Sequence, residues 1–253
     1  MTVCAVLPAA GRGSRLGLGR PKLLTPIAGH ATVWSRVSEQ LDGLVDHIHL
    51  IVSPGDLELF ESLLNEHPLE TPVTTGVQAE PSGMGDAVFC GHATWSQADM
   101  VVVIWGDQVH VSRRTIELGI KLHQQAPRRI VLPLVPLADP YVEYLFDETG
   151  HLTAVRQSRE GDQCQPGGLG DVGVFILSTQ GLADEWARYL DVRTGRGTTT
   201  AEINFLPFLV FLAGRDWEVL RLGVTDPLEA KGINTPADLA FFRTLYGGRR
   251  QDG

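Results

Sequence analysis

Residues Val6 to Leu24 read VLPAAGRGSRLGLGRPKLL, an apolar run that opens into a turn of small and basic residues and closes on Pro21-Lys22. The residues from Val3 to Leu7 are β-formers, so the turn is predicted to follow a strand. Ala9, Ala10, Gly11 and Gly13 carry little or no side chain, and backbone N–H groups at such positions come close to an anion. Arg12, Arg15 and Lys22 place positive charge around the same concavity. Together these features suit a ligand with several clustered negative charges, such as a triphosphate, because fixed N–H donors and guanidinium forks complement phosphate oxygens. The turn lacks the Lys-Ser/Thr ending of a P-loop, and its glycines do not follow the G-x-G-x-x-G spacing of dinucleotide folds.

Outward from this loop the chain alternates between strand and helix patterns. Ala31 to Leu41 has helical spacing through Val33, Val37 and Leu41. His47 to Val52 reads as a strand, Asp56 to Leu64 as a helix and Val73 to Gln78 as a short extended piece. Gly85 to Trp95 is predicted helical. Met100 to Ile104 is an unbroken apolar run of the kind found inside parallel sheets. A helix over Thr115 to Gln125 and a strand over Arg129 to Pro136 continue the pattern. The fold class predicted is α/β, a mostly parallel sheet with helices on both faces. From Tyr141 the texture changes: Val142 to Phe146, Leu152 to Gln157 and Val172 to Leu177 read as strands joined by turns, an antiparallel region beside the parallel sheet. Helices are expected again over Phe205 to Ala213 and Ala237 to Leu245.

Composition narrows the class. The chain has 253 residues, of which 43% are hydrophobic, ample for a sizeable core. No apolar run reaches the length of a membrane span, and Thr2 to Leu7 lacks the basic start of a signal peptide, so a cytoplasmic protein without a membrane partner is expected. The three cysteines, Cys4, Cys90 and Cys164, are widely spaced and read as reduced thiols. A net charge of −9 without a lysine-rich run argues against a nucleic-acid partner.

Two further constellations carry chemistry. In Gln78-Ala79-Glu80-Pro81-Ser82-Gly83-Met84-Gly85, the Gln78 amide can pair with the edge of a nucleobase, although the same segment also suits a plain loop before a helix. Asp107 stands where the apolar strand ends in Trp105-Gly106-Asp107. A carboxylate there is costly unless it meets a cation, which points to a metal, whereas in a loop the same residue also suits the cap of a turn. Asn234 in Gly232-Ile233-Asn234 taken alone reads as a turn or helix cap.

In this order the motifs resemble those of the nucleotidyltransferases that join a nucleoside triphosphate to a sugar 1-phosphate, most closely the uridyltransferase domain acting on N-acetylglucosamine 1-phosphate. The resemblance runs from about Val3 to Leu245. It implies a Rossmann-like, GT-A-like single domain, with a nucleotide-binding half over about 1–138 and an acceptor-binding antiparallel insertion over about 139–230. A metal-ligand turn and helix follow over 231–253. It further implies that Leu7, Ala9, Ala10, Gly11, Arg12 and Gly13 wrap the nucleotide, that Arg15 and Lys22 are catalytic, and that Gln78, Gly83 and Met84 read the base. Mg²⁺ would be held by Asp107 and Asn234, and the acceptor by Tyr141, Val142, Gln157, Asp171 and Glu202. Glu202 also suits a cap for the helix after it.

Three positions depart from the family pattern. Met84 replaces a Thr, Gln157 a Glu and Asp171 an Asn. An amide and a carboxylate do not hydrogen-bond the same groups, so the acceptor is left open among sugar phosphates, cyclitol phosphates and non-sugar phosphates or phosphonates. The expected activity is transfer of a nucleotidyl group, UTP favoured, to a phosphorylated small molecule with release of pyrophosphate. A cytidylyltransferase for a phosphoalcohol, phosphocholine or phosphonate is the nearest alternative, and a catalytically silent nucleotide-binding subunit is the alternative from another class. A homo-oligomer is compatible with all of them.

Overall fold

The computed structural model describes residues 1–11, 20–124, 126–192, 197 and 199–247. The first strand, β1 (Val3–Pro8), is buried along its whole length. A short hairpin of β2 (Pro26–Ala28) and β3 (Ala31–Thr32) leads into helix α1 (Val33–Leu41). Thr32 and Ser35 cap that helix reciprocally through side chain and backbone, which is why it starts at Val33 rather than Ala31. Then come β4 (His47–Val52), α2 (Leu57–Glu66), β5 (Val73–Val77), α3 (Met84–Cys90), α4 (His92–Trp95), β6 (Met100–Ile104), α5 (Arg113–His123) and β7 (Arg129–Pro136). The single helix expected over Gly85 to Trp95 is two, broken at Gly91.

The second half holds β8 (Val142–Phe146), β9 (Leu152–Gln157), β10 (Leu169–Asp171), β11 (Val174–Ser178), α6 (Leu182–Val192), α7 (Leu206–Ala213), β12 (Glu218–Gly223) and α8 (Pro236–Gly247). Strands β5, β4, β1 and β6 lie side by side and parallel. The antiparallel strands do not stay apart from them as a group. Only β8 and β9 form a separate two-stranded sheet, whereas β11 lies between β6 and β7 and runs antiparallel to both. The five residues of β11 are all buried, a pattern that belongs inside a sheet rather than at its edge. β12 adds parallel to β7, and β10 pairs with β7 antiparallel, interrupted from β11 at Val172-Gly173.

Alternation along β1 divides the core between the two faces of the sheet. Val3, Ala5 and Leu7 pack with Trp34, Phe60, Ile116 and Phe242 on one face. Cys4 and Val6 pack with Trp95, Trp186, Phe208 and Leu212 on the other. Helices α1, α2, α5 and α8 thus cover the first face, and α3, α4, α6 and α7 the second. Cys4, Cys90 and Cys164 are free thiols, and burial pushes that of Cys4 up to about 12. Among the described residues no helix is long and apolar enough to cross a membrane.

Candidate active site

Parallel strands point their carboxyl ends the same way, and ligand sites in such sheets form beyond those ends. Here the turns after β1, β5 and β6 open onto a cavity of about 550 Å³. Backbone bonds set them: the Ala9 N–H donates to Ile51 O at 2.7 Å, and the Gln78 N–H to Val52 O at 2.9 Å. From the remote end of the chain, the Ile233 N–H donates to Asp107 O at 3.0 Å, which seats the turn before α8 beside the turn after β6.

On the wall of this cavity three side chains meet. Lys22 opens a one-turn 3-10 segment anchored by the buried Leu23. Its Nζ donates to Asp107 Oδ2 at 3.0 Å and to Asn234 Oδ1 at 2.9 Å. Residues 22, 107 and 234 are far apart in sequence, so the fold alone brings them together. Asn234 is not the helix cap that its position suggests. Thr235 takes that role: its Oγ1 accepts from the Asp238 N–H at 3.2 Å while its own N–H donates to Asp238 Oδ2 at 2.9 Å. The Asn234 side chain is thereby free to face the lysine.

These residues fit a hard divalent cation. Asp107 Oδ1 is buried and has no hydrogen-bond partner among the described residues, while Oδ2 and the Asn234 oxygen already converge on a positive charge. A Cβ on Gly232 would lie 3.0 Å from Asp107 Cγ and 3.2 Å from Asn234 Nδ2, so the glycine leaves room between the two oxygen donors. Among the described residues no group of three or more His, Cys, Asp and Glu could hold a metal. One carboxylate and one amide oxygen, completed by water and phosphate, is the kind of donor set that Mg²⁺ takes at nucleotide sites.

The same cavity is bordered by Tyr141, Val142, Gln157, Arg159, Asp171, Glu202 and Asn204. Hairpin register pairs Val142 with Gln157, and Tyr141 is 51% exposed at the rim. The Tyr144 hydroxyl donates to Asp171 Oδ2 at 3.1 Å and the Gly173 N–H to Oδ1 at 2.8 Å. Burial, seconded by the charge of Asp107, raises the Asp171 pKa to about 6 against those hydrogen bonds. Glu202 pairs with Arg159. It does not cap α7, which begins without a side-chain cap. Glu160, close to Arg159, accepts from Thr200 Oγ1 at 2.6 Å, from the Thr199 N–H at 2.9 Å and from Asn204 Nδ2 at 3.3 Å. Although burial pushes its carboxyl up, these bonds hold it at about 2.

Of the residues singled out from sequence, Ala9, Ala10, Gly11, Lys22, Gln78, Gly83, Met84, Asp107, Tyr141, Val142, Gln157, Asp171, Glu202 and Asn234 border this one cavity. Leu7 does not. It is wholly buried in the core beneath the loop, because it is the inward member of the strand that carries the turn. Arg12, Gly13 and Arg15 lie outside the described residues. Sequence reading missed Gln108, Trp105 and Arg159, which border the cavity, and Tyr144, which holds Asp171. Gln108 follows Asp107 directly and its Oε1 is buried without a partner among the described residues, so adjacency was the available signal. Nothing in the local sequence marks Tyr144, whose role depends on a strand pairing.

The MobA-like NTP transferase domain matches residues 5–165, a stretch that includes the first loop, Gln78 and Asp107 and stops before Asp171 and Asn234. The chain belongs to the MobA-like NTP transferase family. The family is one of nucleotidyltransferases. Among known proteins it is 26% identical over 248 residues to the bifunctional protein GlmU of Acidithiobacillus ferrooxidans, covering 95% of this chain and 51% of that one. The chain therefore spans about half the length of the curated relatives it matches. In fold it is similar to a Bacillus anthracis protein described as a glucose-1-phosphate thymidylyltransferase, with a TM-score of 0.75, 15% identity and coverage of 96% of this chain and 95% of that one. It is also similar to 4-diphosphocytidyl-2C-methyl-D-erythritol synthase from Anaerococcus prevotii, with a TM-score of 0.65, 13% identity and coverage of 97% and 96%. At these identities the structures speak for the fold alone.

Proposed function

We propose that this nucleotidyltransferase transfers the nucleotidyl group of a nucleoside triphosphate, UTP favoured, to a sugar 1-phosphate or a similarly phosphorylated small acceptor, with Mg²⁺ as cofactor. An oxygen of the acceptor phosphate forms a bond to the α-phosphorus, the bond from that phosphorus to the bridging oxygen breaks, and pyrophosphate leaves. Both partners are anions, so the work of the protein is to align them and to offset their charge.

The observation that carries this reading is the meeting of Lys22 with Asp107 and Asn234 in the cavity that Gln78 and Asp171 also border. Lys22 is assigned to the oxygens of the α-phosphate and of the departing pyrophosphate, where an ammonium on a flexible stem can follow charge as it moves. Arg15 is assigned to the same phosphates through its place in the loop. Ala9, Ala10 and Gly11 offer main-chain N–H groups, while Gln78, Gly83 and Met84 flank the base. Asp107 and Asn234 would hold Mg²⁺, which neutralises phosphate charge when bound. Tyr141, Val142, Gln157, Asp171 and Glu202 are assigned to the acceptor, which places nucleotide binding in about residues 1–138 and acceptor binding in about 139–230.

The test is a grid of nucleoside triphosphates against phosphorylated sugars, cyclitols, phosphoalcohols and phosphonates, read as released pyrophosphate with Mg²⁺ present. Turnover of UTP with a sugar 1-phosphate is the expected result. Turnover of CTP with a phosphoalcohol would replace both substrates while keeping the chemistry, and silence across the whole grid would remove the proposal.

A further inference from the structure

Gln78 is 5% exposed, and its amide nitrogen has two hydrogens to give. Both are used within the protein. Nε2 donates to Gly83 O at 3.1 Å and to Asp86 Oδ2 at 2.7 Å. A carboxylate and a carbonyl only accept, so an amide turned by half a rotation would set its oxygen against two other acceptors. Gln78 Oε1 therefore keeps one orientation. It receives no hydrogen bond from the described residues, and Gln78 borders the cavity.

The segment between the two residues is itself clamped. The Ile203 N–H donates to Ser82 O at 2.7 Å and the Gly85 N–H to Ile203 O at 2.8 Å. Gly83 sits at φ +126°, where a Cβ would come within 2.6 Å of the Ile203 nitrogen. The partner carbonyl of Gln78 thus has nowhere to move.

We infer that Asp86 is a positioning residue for base recognition: it turns the Gln78 amide so that its oxygen faces the nucleotide, and the base is read through one of its own N–H donors. This rests on the proposed assignment of Gln78 to the base. It goes beyond that assignment by fixing the polarity of the contact and by naming a residue that does not touch the ligand. A uracil N3–H or a cytosine amino group satisfies such an acceptor. A base edge that offers only lone pairs at that point does not, and is rejected because two acceptors face each other in a buried place.

The experiment compares the parent with Asp86→Ala and Asp86→Asn. Dissociation constants for the four common nucleoside triphosphates are measured by calorimetry with Mg²⁺ and without acceptor, so that failure of the acceptor assignment leaves the readout intact. The quantity read is the ratio between the best and second-best nucleotide. A change in cavity charge weakens or tightens all four alike and leaves that ratio alone. Asp86→Ala is expected to reduce the ratio about fivefold or more, whereas Asp86→Asn, whose side-chain oxygen still accepts from Nε2, keeps it within about twofold. Circular dichroism establishes that both variants are folded, and a misfolded Asp86→Ala is replaced by Asp86→Ser, for which the same loss is expected. A smaller fall with a folded variant, a loss in Asp86→Asn equal to that in Asp86→Ala, or a parent that binds all four nucleotides equally would overturn the inference.

Discussion

In one group of cavity residues Lys22 donates to both Asp107 and Asn234, at 3.0 and 2.9 Å. In a second group Asp171 leans on Tyr144 and Gly173, Glu202 on Arg159, and Glu160 on Thr199, Thr200 and Asn204. The first group is a cation held between two oxygens, an arrangement that under the proposed function would serve any triphosphate, because all triphosphates carry the same charges in the same order. The second is a set of carboxylates, each hydrogen-bonded by its own neighbours, with Arg159 as the cation among those partners. Under the proposed function, chemistry common to the family would belong to the first group and substrate choice to the second, which would make them the phosphate end and the acceptor end of the site. Losses at the first should thus fall on turnover with every substrate, and losses at the second on the choice among acceptors.

The sharpest way to break this contrast is Asp107→Ala. It removes the carboxylate on which both the lysine and the proposed metal depend, and turnover measured as pyrophosphate release should fall by about 10³ or more for every substrate pair, with an unchanged circular dichroism spectrum. Lys22→Ala comes next, with a fall of about 10² to 10³ in kcat and little change in the preference among acceptors. If either variant instead altered which acceptor is used while sparing kcat, the division between the two ends would be wrong.

Asp171→Asn sharpens the other side. Its effect should lie in the acceptor, as a change of about tenfold in relative kcat/KM among candidate acceptors, because an amide donates where a carboxylate only accepts. It also carries a pH signature. Folded, Asp171 holds its proton to about pH 6, compared with an ordinary carboxyl value of 3.8. Its contribution to stability is fully present below about pH 4 and is lost as the pH rises through 6, when the folded protein must bury the charge. The melting temperature of Asp171→Asn relative to the parent should therefore climb between pH 4 and pH 7, and a difference that stays flat would remove Asp171 from that role. The smallest effect expected is that of Met84→Thr, which restores a hydroxyl beside the base. It should shift nucleotide preference by only about two- to fivefold, since one exposed hydrogen bond is worth about 1 kcal/mol.

The same contrast explains what the sequence made legible. The parallel strands could be placed closely, with His47–Val52, Met100–Ile104 and Arg129–Pro136 at their observed limits, because strands buried on both faces write themselves as continuous apolar runs. Lys22 and Asp107 could be listed because each stands at a turn or strand end with a local signature, whereas Asn234 was legible only through the family resemblance. The insertion of β11 between β6 and β7 was not legible, since a buried five-residue strand reads the same wherever it pairs. Nor were α6 and β12 assigned from sequence. β12 has only partly buried and exposed residues, and such a surface strand carries little apolar pattern of its own. The family resemblance assigned Leu7 to the nucleotide, but alternation along β1 turns its side chain into the core. Arg159 and Tyr144 became visible only once the hairpin and β10 were in register.

The most direct test of the account is a crystal structure of the protein with Mg²⁺ and its preferred nucleoside triphosphate. The account predicts a metal bound at about 2.1 Å to Asp107 and Asn234, with Lys22 turned from those two oxygens to the phosphates and the base against Gln78. A triphosphate bound away from Lys22, or a metal that touches neither Asp107 nor Asn234, would contradict it.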